Sequence, residues 1–564
     1  MLPAFTESDR PLQVTTPLGP GAVLLAEIRG TEAVNELFAF DLHLLAPLDR
    51  PPVRFEALLG KPIAVRVRRP GGDYRVVHGL VTALTRRGRD RLFTHFRAEV
   101  QPAWWPATLR LNSRVFQQQT APDILRAVLG GFGPVEFRLT GLYPHRNYTV
   151  QYRETDWAFA SRVMEEEGLF HFFTHREDGH TLVIADGVPA CPPVPGPLPL
   201  AYDDGPDAAR DRTRPVAWRW DKTQELCPTG VTVRDSHFQL FRKTLAAEAA
   251  PPAVVTTGTA DHAPVVVGGP DIPVYRHDGD YAKRFDGVAP GGGDRSGDLA
   301  GVYPDADRTA RLRAEQAAAR SVRISGESNA PGLTPGHVAR LDGYPDADDR
   351  YVVTRVSHSA AIPEAFWASD AAGDFTYRNE FEAAPTALPP RPPLRTPRPV
   401  IGGMLTAVVT GPPGQEIFVD PYGRVKVQFL WDRTGRFDAD SSCWVRCAQL
   451  WAGKGWGAFF WPRVGMEVVV QFVDGDPDRP LVTGCVYNVE NLPPTRLPAE
   501  ATVGGIKSCI FRGDPAVNFN AVYFQDTPGV EYVQVHSERS EVQQSEANRF
   551  HYTGGLKFSV HGRL

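Results

Sequence analysis

Clustered carboxylates are the first residues in this chain of 564 whose type and spacing could do chemistry. Three consecutive acids, Glu165 to Glu167, could supply paired carboxylates for general acid and base work in glycan hydrolysis. No matching acid is identifiable elsewhere, and a solvated helix end explains the run equally well. The sequence also has no nucleophile elbow and no phosphate-binding glycine loop in a fitting context. We therefore expect no enzyme activity.

A second acidic cluster, DGDPD from Asp474 to Asp478, is similar to the start of a calcium-binding loop. Pro477 and Arg479 disrupt that pattern, and Cys485 stands at the twelfth position, where calcium loops need a bidentate glutamate. The segment is therefore predicted to be a hairpin turn.

Histidines and cysteines give no better metal site. His171 and His175 are four apart, but they lie in a predicted strand, LFHFFTH, without the helix and glutamate of a zinc protease. Cys443 and Cys447 would stand roughly 13 Å apart on a strand, too far for a disulfide. We expect free thiols, no metal and no cofactor.

A basic strand raises a different possibility. In DPYGRVKVQFLWDR, Val425, Val427 and Phe429 alternate with polar residues and should pack inside a barrel. Arg424 and Lys426 would then share the opposite face, which is either solvated or in contact with a neighbouring subunit. These two residues are the subunit-interface candidates.

Nucleic-acid binding is an alternative for that face, because Trp444 and Arg446 add stacking surface and charge. Seven aspartates in the same region oppose it, and the whole chain carries 61 basic against 66 acidic residues, a formal charge of −5. We expect no nucleic-acid partner.

The start of the chain shows no signal-peptide pattern, and no run of 18 uncharged apolar residues occurs anywhere. We expect synthesis in the cytoplasm and no stable membrane anchor.

The elements that must position these residues are mainly β-strands. Short alternating runs such as AVLLAEIRG, FAFDLHLLA, PIAVRVRR, RVVHGLVTAL and FRAEVQP predict a barrel or sandwich between residues 21 and 100. Three helices are predicted: one from the capping box at Thr120 to Leu129, one capped by Asp156 and ending at Gly168, and one at 308–320. Loops are expected at 189–199 and 246–301.

A proline-rich stretch marks the clearest boundary. The predicted domains are an N-terminal region at 1–384 with two barrel-like units and helical insertions, a semi-rigid linker at 385–400, a five-stranded barrel at 401–491, and a linker with a short stalk at 492–564. The predicted fold class is mainly β.

Long phrases in both halves resemble one known family. They are SRVFQQQTAPDIL, RNYTVQYRETDWAFASRVMEEEGLFHFF and LTPGHVARLDGYP in the first half, with EIFVDPYGRVKVQFLWDR and SSCWVRCAQLWAGKGWGAFFWPRVGMEVVVQFVDGDPDRPLVTGCVYN in the second. The chain is similar over most of its length to the VgrG (valine-glycine repeat protein G) tip proteins of type VI secretion, which are relatives of phage tail hubs and spikes.

That resemblance implies a homotrimer. Its N-terminal hub would sit on rings of the Hcp tube protein, an oligonucleotide-fold (OB-fold) barrel would form a neck, and a triple-stranded β-helix capped by a PAAR-repeat protein would follow. The assembly would be driven through a target envelope, deliver effector proteins and leave the cell.

The end of the chain departs from the family pattern, because only about 60 residues follow Val503 and valine-glycine periodicity is weak. A short β-helix is therefore expected, with Phe558, Val560 and Leu564 as candidates for the tip. A spike from an extracellular contractile injection system would have the same features.

Overall fold

The computed structural model describes residues 10–196, 199–211, 213–266, 268–277, 279–347, 349–362 and 375–558. Within these ranges the chain is built mainly from β-strands, as predicted, with three α-helices. None of the described helices combines the length and apolar character that crossing a bilayer requires.

The first barrel-like unit is an antiparallel sheet. Its strands are β1 Leu12–Thr15, β2 Leu24–Ala33, β3 Ala39–Pro47, β4 Pro62–Arg68, β5 Tyr74–Arg89 and β6 Phe93–Gln101. They are hydrogen-bonded in the order β1, β4, β5, β6, β3, β2. The five predicted strands between residues 21 and 100 are confirmed, because their alternating apolar residues form one buried core face.

A ribbon, two helices and a small sheet follow. They are β7 Leu111–Gln119, α1 Ala121–Leu129, β8 Val135–Arg138, β9 Arg146–Thr155, α2 Asp156–Glu167, β10 Phe170–Arg176 and β11 Gly179–Ala185. β7 pairs with β9, and β10, β11 and β8 form a sheet.

The structure confirms the predicted N-terminal cap of α1 but not that of α2. The predicted capping box of α1 is present between Thr120 and Asp123. For α2 the predicted cap was wrong: the Thr155 hydroxyl accepts the Ala158 N–H, while the Asp156 carboxylate binds the guanidinium groups of Arg110 and Arg114.

The next segment contains eleven strands and the third helix. They are β12 Leu200–Tyr202, β13 Val216–Gln224, β14 Gly230–Asp235, β15 Leu245–Ala249, β16 Val255–Thr257, β17 Ala260–His262, β18 Pro273–Arg276, α3 Val302–Ala318, β19 Val322–Ser328, β20 Val338–Asp342, β21 Arg350–Ala361 and β22 Thr376–Pro385.

Six of these strands close the second barrel-like unit. The order β21, β20, β12, β13, β19, β22 returns to β21, and β21 also pairs with β2, so the two units share one continuous sheet. The expectation of loops throughout 246–301 was wrong, because β15 and β18 pair with β14 and β16 pairs with β17. Strands of three to five residues leave too little periodicity to be seen in sequence.

The small barrel comprises β23 Leu405–Thr410, β24 Lys426–Phe429, β25 Arg446–Cys447, β26 Trp451–Ala452, β27 Gly457–Ala458, β28 Glu467–Phe472 and β29 Pro480–Val486. Five of them form one sheet in the order β24, β23, β28, β29, β25, which confirms the predicted strand count, while β26 and β27 form a separate hairpin.

The C-terminal segment, residues 503–558, carries β30 Val503–Lys507, β31 Ala521–Gln525 and β32 Tyr532–His536 in one antiparallel sheet. Ala521 is the one buried apolar residue among its described positions. This sheet therefore has almost no core of its own. The boundaries at residues 384, 400 and 491 remain predictions.

Candidate functional site at the joint between the N-terminal unit and the small barrel

The small barrel shares its hydrophobic core with the N-terminal unit. Its buried cluster contains Val425, Val427 and Phe429, as predicted, together with Tyr148 and Val150 from β9 of the N-terminal unit. Apolar surface shared across a domain boundary holds the two parts in one orientation.

A tight turn directs the side chain of Arg424 towards this boundary. Asp420 accepts the backbone N–H groups of Tyr422 and Arg424 at 2.9 and 2.8 Å, and Gly423 occupies a left-handed conformation with φ +68°. A side chain at Gly423 would also collide with the ring of Trp461. The predicted turn is confirmed, and its geometry fixes the direction of the strand that follows.

Arg424 joins the two parts through paired charges. Its guanidinium donates to both carboxylate oxygens of Asp286 at 2.7 and 2.9 Å and to Asp420 at 2.6 Å, and it lies 4.9 Å from the ring centre of Phe238. Burial alone would lower the pKa of Arg424, but the two carboxylates outweigh it and raise that pKa. The bidentate geometry makes this a directional contact between domains.

Lys426 is buried on the same face with weaker partners. Its ammonium donates to the Ser442 carbonyl at 2.8 Å and lies 5.0 Å from the Trp444 ring centre. Burial lowers its pKa. The Trp444 indole in turn donates to the carbonyl of Ala289, in the glycine-rich turn, at 2.8 Å.

A solvated face at Arg424 and Lys426 is therefore wrong. The two residues are only 2% and 1% exposed. Asp286 and Phe238 of the N-terminal unit cover Arg424, and Trp444 covers Lys426. A role between subunits stays a prediction.

The DGDPD segment forms a second contact. It is a turn between β28 and β29, as predicted, and its acids meet Lys283, whose ammonium lies 2.6 Å from Asp476 and 2.9 Å from Asp478. Arg479 reaches Asp235 at 3.1 Å. Asp478 also accepts the backbone N–H of Val150 at 2.7 Å. The carboxylates of Asp476 and Asp478 are thus used in binding the N-terminal unit.

The proline-rich linker is fastened to the N-terminal unit. Glu165 accepts the N–H groups of Arg395 and Thr396 at 2.9 Å each and the Thr396 hydroxyl at 2.7 Å. Arg391 donates to the Gly168 carbonyl at 2.8 Å and to Glu315 at 2.7 Å. After Pro385, the last residue of β22, the linker has neither helix nor strand, but these hydrogen bonds hold it against the N-terminal unit.

The solvated helix end proposed for Glu165 to Glu167 is wrong, since all three side chains are buried. Glu166 binds Arg146 at 2.8 Å and Arg162 at 3.2 Å. Burial would raise the pKa of Glu166, but the arginines outweigh it and hold that pKa well below its ordinary value. A general acid needs the opposite shift, so the arrangement fits ion pairing.

His171 and His175 are ordinary strand residues in β10, as predicted. Within the described residues no cluster of three or more acidic, histidine or cysteine side chains is arranged to hold a metal. All six cysteines are free.

Exposed apolar side chains are concentrated in two further stretches. They lie in the hairpin segment of the small barrel and along the C-terminal segment, and include Leu450, Trp451, Trp456, Phe459, Phe460, Ile506, Phe524, Tyr532, Val533, Val535, Phe550, Tyr552, Leu556 and Phe558. Exposed apolar patches of this kind mark interaction sites.

Sequence reasoning missed the aromatic hairpin, although the run WAGKGWGAFFW carried the signal. It also missed Lys283, Asp286 and Phe238, which are far from the barrel in sequence. Of the tip candidates, Phe558 is exposed, while Val560 and Leu564 lie outside the described residues.

Two family models match this architecture. The phage tail baseplate hub (GPD) model matches residues 31–363, and the type VI secretion system/phage-baseplate injector OB domain model matches residues 418–487. A hub joined to an OB-fold barrel defines the class of phage-tail-like injection proteins. The chain is 35% identical over 536 residues to the type VI secretion system spike protein VgrG1a of Pseudomonas aeruginosa, covering 94% of this chain and 78% of that protein. It belongs to the VgrG family of type VI secretion spike proteins.

Further comparisons agree. VgrG1c of the same organism is 34% identical over 98% of this chain and 71% of its own length. The E. coli c3393 protein, described as a component of the type VI secretion system with structural similarity to T4 tail proteins gp27 and gp5, has a TM-score of 0.56 at 20% identity, covering 84% of this chain and 99% of that one. The Francisella PdpA-VgrG complex, half-lidded, has a TM-score of 0.53 at 7% identity over 93% and 88%. These two structures share the fold.

Proposed function

We propose that this chain works as a homotrimeric spike that is driven through a target envelope by a type VI secretion machine. The observation that carries the proposal is the exposed apolar C-terminal segment. Val533 is 66% and Tyr552 is 92% exposed, and a sheet of three short strands cannot bury them within one chain. Two further copies would supply the missing partners.

The joint supports a mechanical role. A shared apolar core, the bidentate pair of Arg424 with Asp286 and the contacts of Lys283 hold the small barrel against the N-terminal unit. A spike loaded along its axis needs such stiffness, and the buried carboxylates of Glu166 and Glu167 are held by arginines in a way that suits structure rather than hydrolysis. We infer a structural protein rather than an enzyme.

The partners follow from the family. We propose that the N-terminal unit sits on an Hcp-like tube protein and that Phe558, Val560 and Leu564 contact a PAAR-repeat protein at the tip. Effector proteins travel with the spike. The chain is made in the cytoplasm and leaves the cell with the machine.

Native mass spectrometry tests the trimer. The expected mass is about three times the 62.0 kDa of one chain. Val533→Asp with Val535→Asp should shift the protein towards monomer, because buried unpaired charges oppose association. The control changes two exposed valines outside this segment, Val254→Asp with Val266→Asp, and should stay trimeric. A monomeric parent protein would contradict the proposal.

A further inference from the structure

Two histidines from paired strands meet on the first barrel-like unit, on the face away from its buried core. His43 lies on β3 and His95 on β6, and the two are 52 positions apart in sequence. The Nε2 atom of His43 and the Nδ1 atom of His95 are 3.0 Å apart, and the ring centres are separated by 5.2 Å. Because the residues are so far apart along the chain, no spacing pattern in the sequence indicates this pair.

Asp90, in the turn between β5 and β6, fixes the orientation of His95. Its carboxylate accepts the Nε2–H of His95 at 2.9 Å, and it also accepts the N–H groups of Leu92 and Phe93 at 2.6 and 2.7 Å. Since the proton of His95 is on Nε2, its Nδ1 presents a lone pair and His43 donates to it. A carboxylate behind an imidazole is the arrangement that orients histidine ligands at protein metal sites.

Both imidazoles line an open cleft of about 700 Å³, and the side chain of His95 is 27% exposed, so ions in solution can reach them. The acids Glu27 and Asp41 of the same cleft are each paired with an arginine, and Arg87 and Arg89 also line it. Hard cations such as Ca²⁺, which bind through several carboxylate oxygens, are therefore disfavoured. Neutral imidazole nitrogens are instead ligands of transition metals.

The separation of the two ring nitrogens distinguishes between transition metals. Two nitrogen ligands at about 2.1 Å from a metal stand about 3.0 Å apart when they meet at a right angle, and about 3.4 Å apart in a tetrahedron. The 3.0 Å between His43 and His95 matches the right angle. Square-planar and tetragonal Cu²⁺ have this geometry, whereas Zn²⁺ prefers the tetrahedron, and Cu²⁺ binds nitrogen ligands most tightly among the divalent first-row metals.

We propose that His43 and His95 form a binding site for Cu²⁺, in which the ion replaces the proton that the two rings now share. The proton on Nε2 of His43 moves to Nδ1 of the same ring by exchange with water, so both rings stay neutral and no proton is lost. Among the described residues no third acidic, histidine or cysteine side chain completes a metal-binding group here, so water fills the other positions. Asp90 is a positioning residue, and the site does not depend on the spike function.

Electron paramagnetic resonance tests the site on full-length, tag-free protein whose accessible thiols have been alkylated. At about pH 7.5 the parent protein should bind Cu²⁺ with hyperfine coupling to two imidazole nitrogens. His43→Gln should weaken binding about tenfold or more and remove the two-nitrogen signal, whereas Asp90→Asn should weaken binding about tenfold and retain it. The control, His145→Gln, replaces an exposed histidine elsewhere on the N-terminal unit and should bind like the parent protein.

Melting temperatures are measured on the same samples with and without Cu²⁺. An ion that binds only the folded chain raises the melting temperature, so the parent protein and His145→Gln should gain and His43→Gln should not. Equal binding by His43→Gln and the parent protein, or a Cu²⁺ signal without two-nitrogen coupling, overturns the site. Tighter binding of Zn²⁺ than of Cu²⁺ would contradict the right-angle geometry. If His43→Gln does not fold, His95→Gln replaces it, and the nitrogen coupling of the parent protein decides without any variant.

Discussion

Arg424 is the residue on which the joint depends most directly. Its guanidinium neutralises Asp286 and Asp420 at once, and all three groups are buried. Replacing it by glutamine, Arg424→Gln, should destabilise the contact between the small barrel and the N-terminal unit by about 3–5 kcal/mol, because two buried carboxylates lose their counter-charge. Scanning calorimetry would record this as a lower unfolding temperature of the barrel.

The matched control is Arg433→Gln, an exposed arginine in the same segment that should leave the transition unchanged. The double variant with Asp286→Asn should lose less than the sum of the two single changes, since they remove one interaction. Equal melting of Arg424→Gln and Arg433→Gln would show that the pair does not hold the joint.

The sequence predicted one face of β24 and not the other. Alternation placed Val425, Val427 and Phe429 inside, because period two is a local property of a strand. Arg424 is covered by Asp286 and Phe238, and the Trp444 ring over Lys426 is held by Ala289. Asp286, Phe238 and Ala289 are more than a hundred positions away, and no pattern within the strand reports such contacts. From the strand pattern alone, polar residues opposite an apolar face are therefore predicted to be in contact with solvent.

At the scale of elements, the linker and α2 form one unit through Glu165. Glu165→Ala removes the acceptor of two backbone N–H groups and one hydroxyl. The linker should then open more often, and trypsin should cut after Arg395 about tenfold faster. Limited proteolysis followed by mass spectrometry measures the rate at this site, since prolines follow Arg391 and Arg398 and block cleavage there.

Glu380→Ala is the control for this change, because Glu380 is an exposed glutamate on β22. It should be cut at the rate of the parent protein. Unchanged cutting of Glu165→Ala would mean that the proline-rich chain keeps its path without this anchor.

Elements with strong local signals were predicted well, and those held by distant contacts were not. The capping box at Thr120, the glycine at the end of α2 and the five barrel strands are each specified within about ten residues. The strands β15 to β18 depend instead on pairing partners, and the buried state of Glu165 to Glu167 depends on arginines from other elements. Such contacts are properties of the assembled fold.

At the scale of the whole molecule, the N-terminal unit buries several neutral histidines. Burial is the main cause that lowers the pKa of His171 and His180 to about 3 and that of His337 and His358 to about 4, from an ordinary value of 6.5. In the unfolded chain these rings take up protons as the pH falls below 6.5, whereas in the folded chain they remain neutral. Unfolding therefore becomes more favourable between pH 6.5 and about 4.

Each such histidine should contribute up to about 1.4 kcal/mol of lost stability per pH unit in that window. His171→Phe tests the contribution of one of these histidines to the loss of stability. The His171 ring packs against Trp157 and Phe173, and a phenyl group can make the same contacts. Urea unfolding at about pH 7 and about pH 5.5, followed by tryptophan fluorescence, should show a smaller loss of unfolding free energy for His171→Phe than for the parent protein.

The control is His551→Phe, which replaces an exposed histidine in the C-terminal segment and should retain the full loss of unfolding free energy. If His171→Phe and the parent protein lose stability equally on acidification, the buried ring at His171 does not contribute to acid sensitivity, and the ion pairs of Glu32 and Glu166 must be tested next at lower pH.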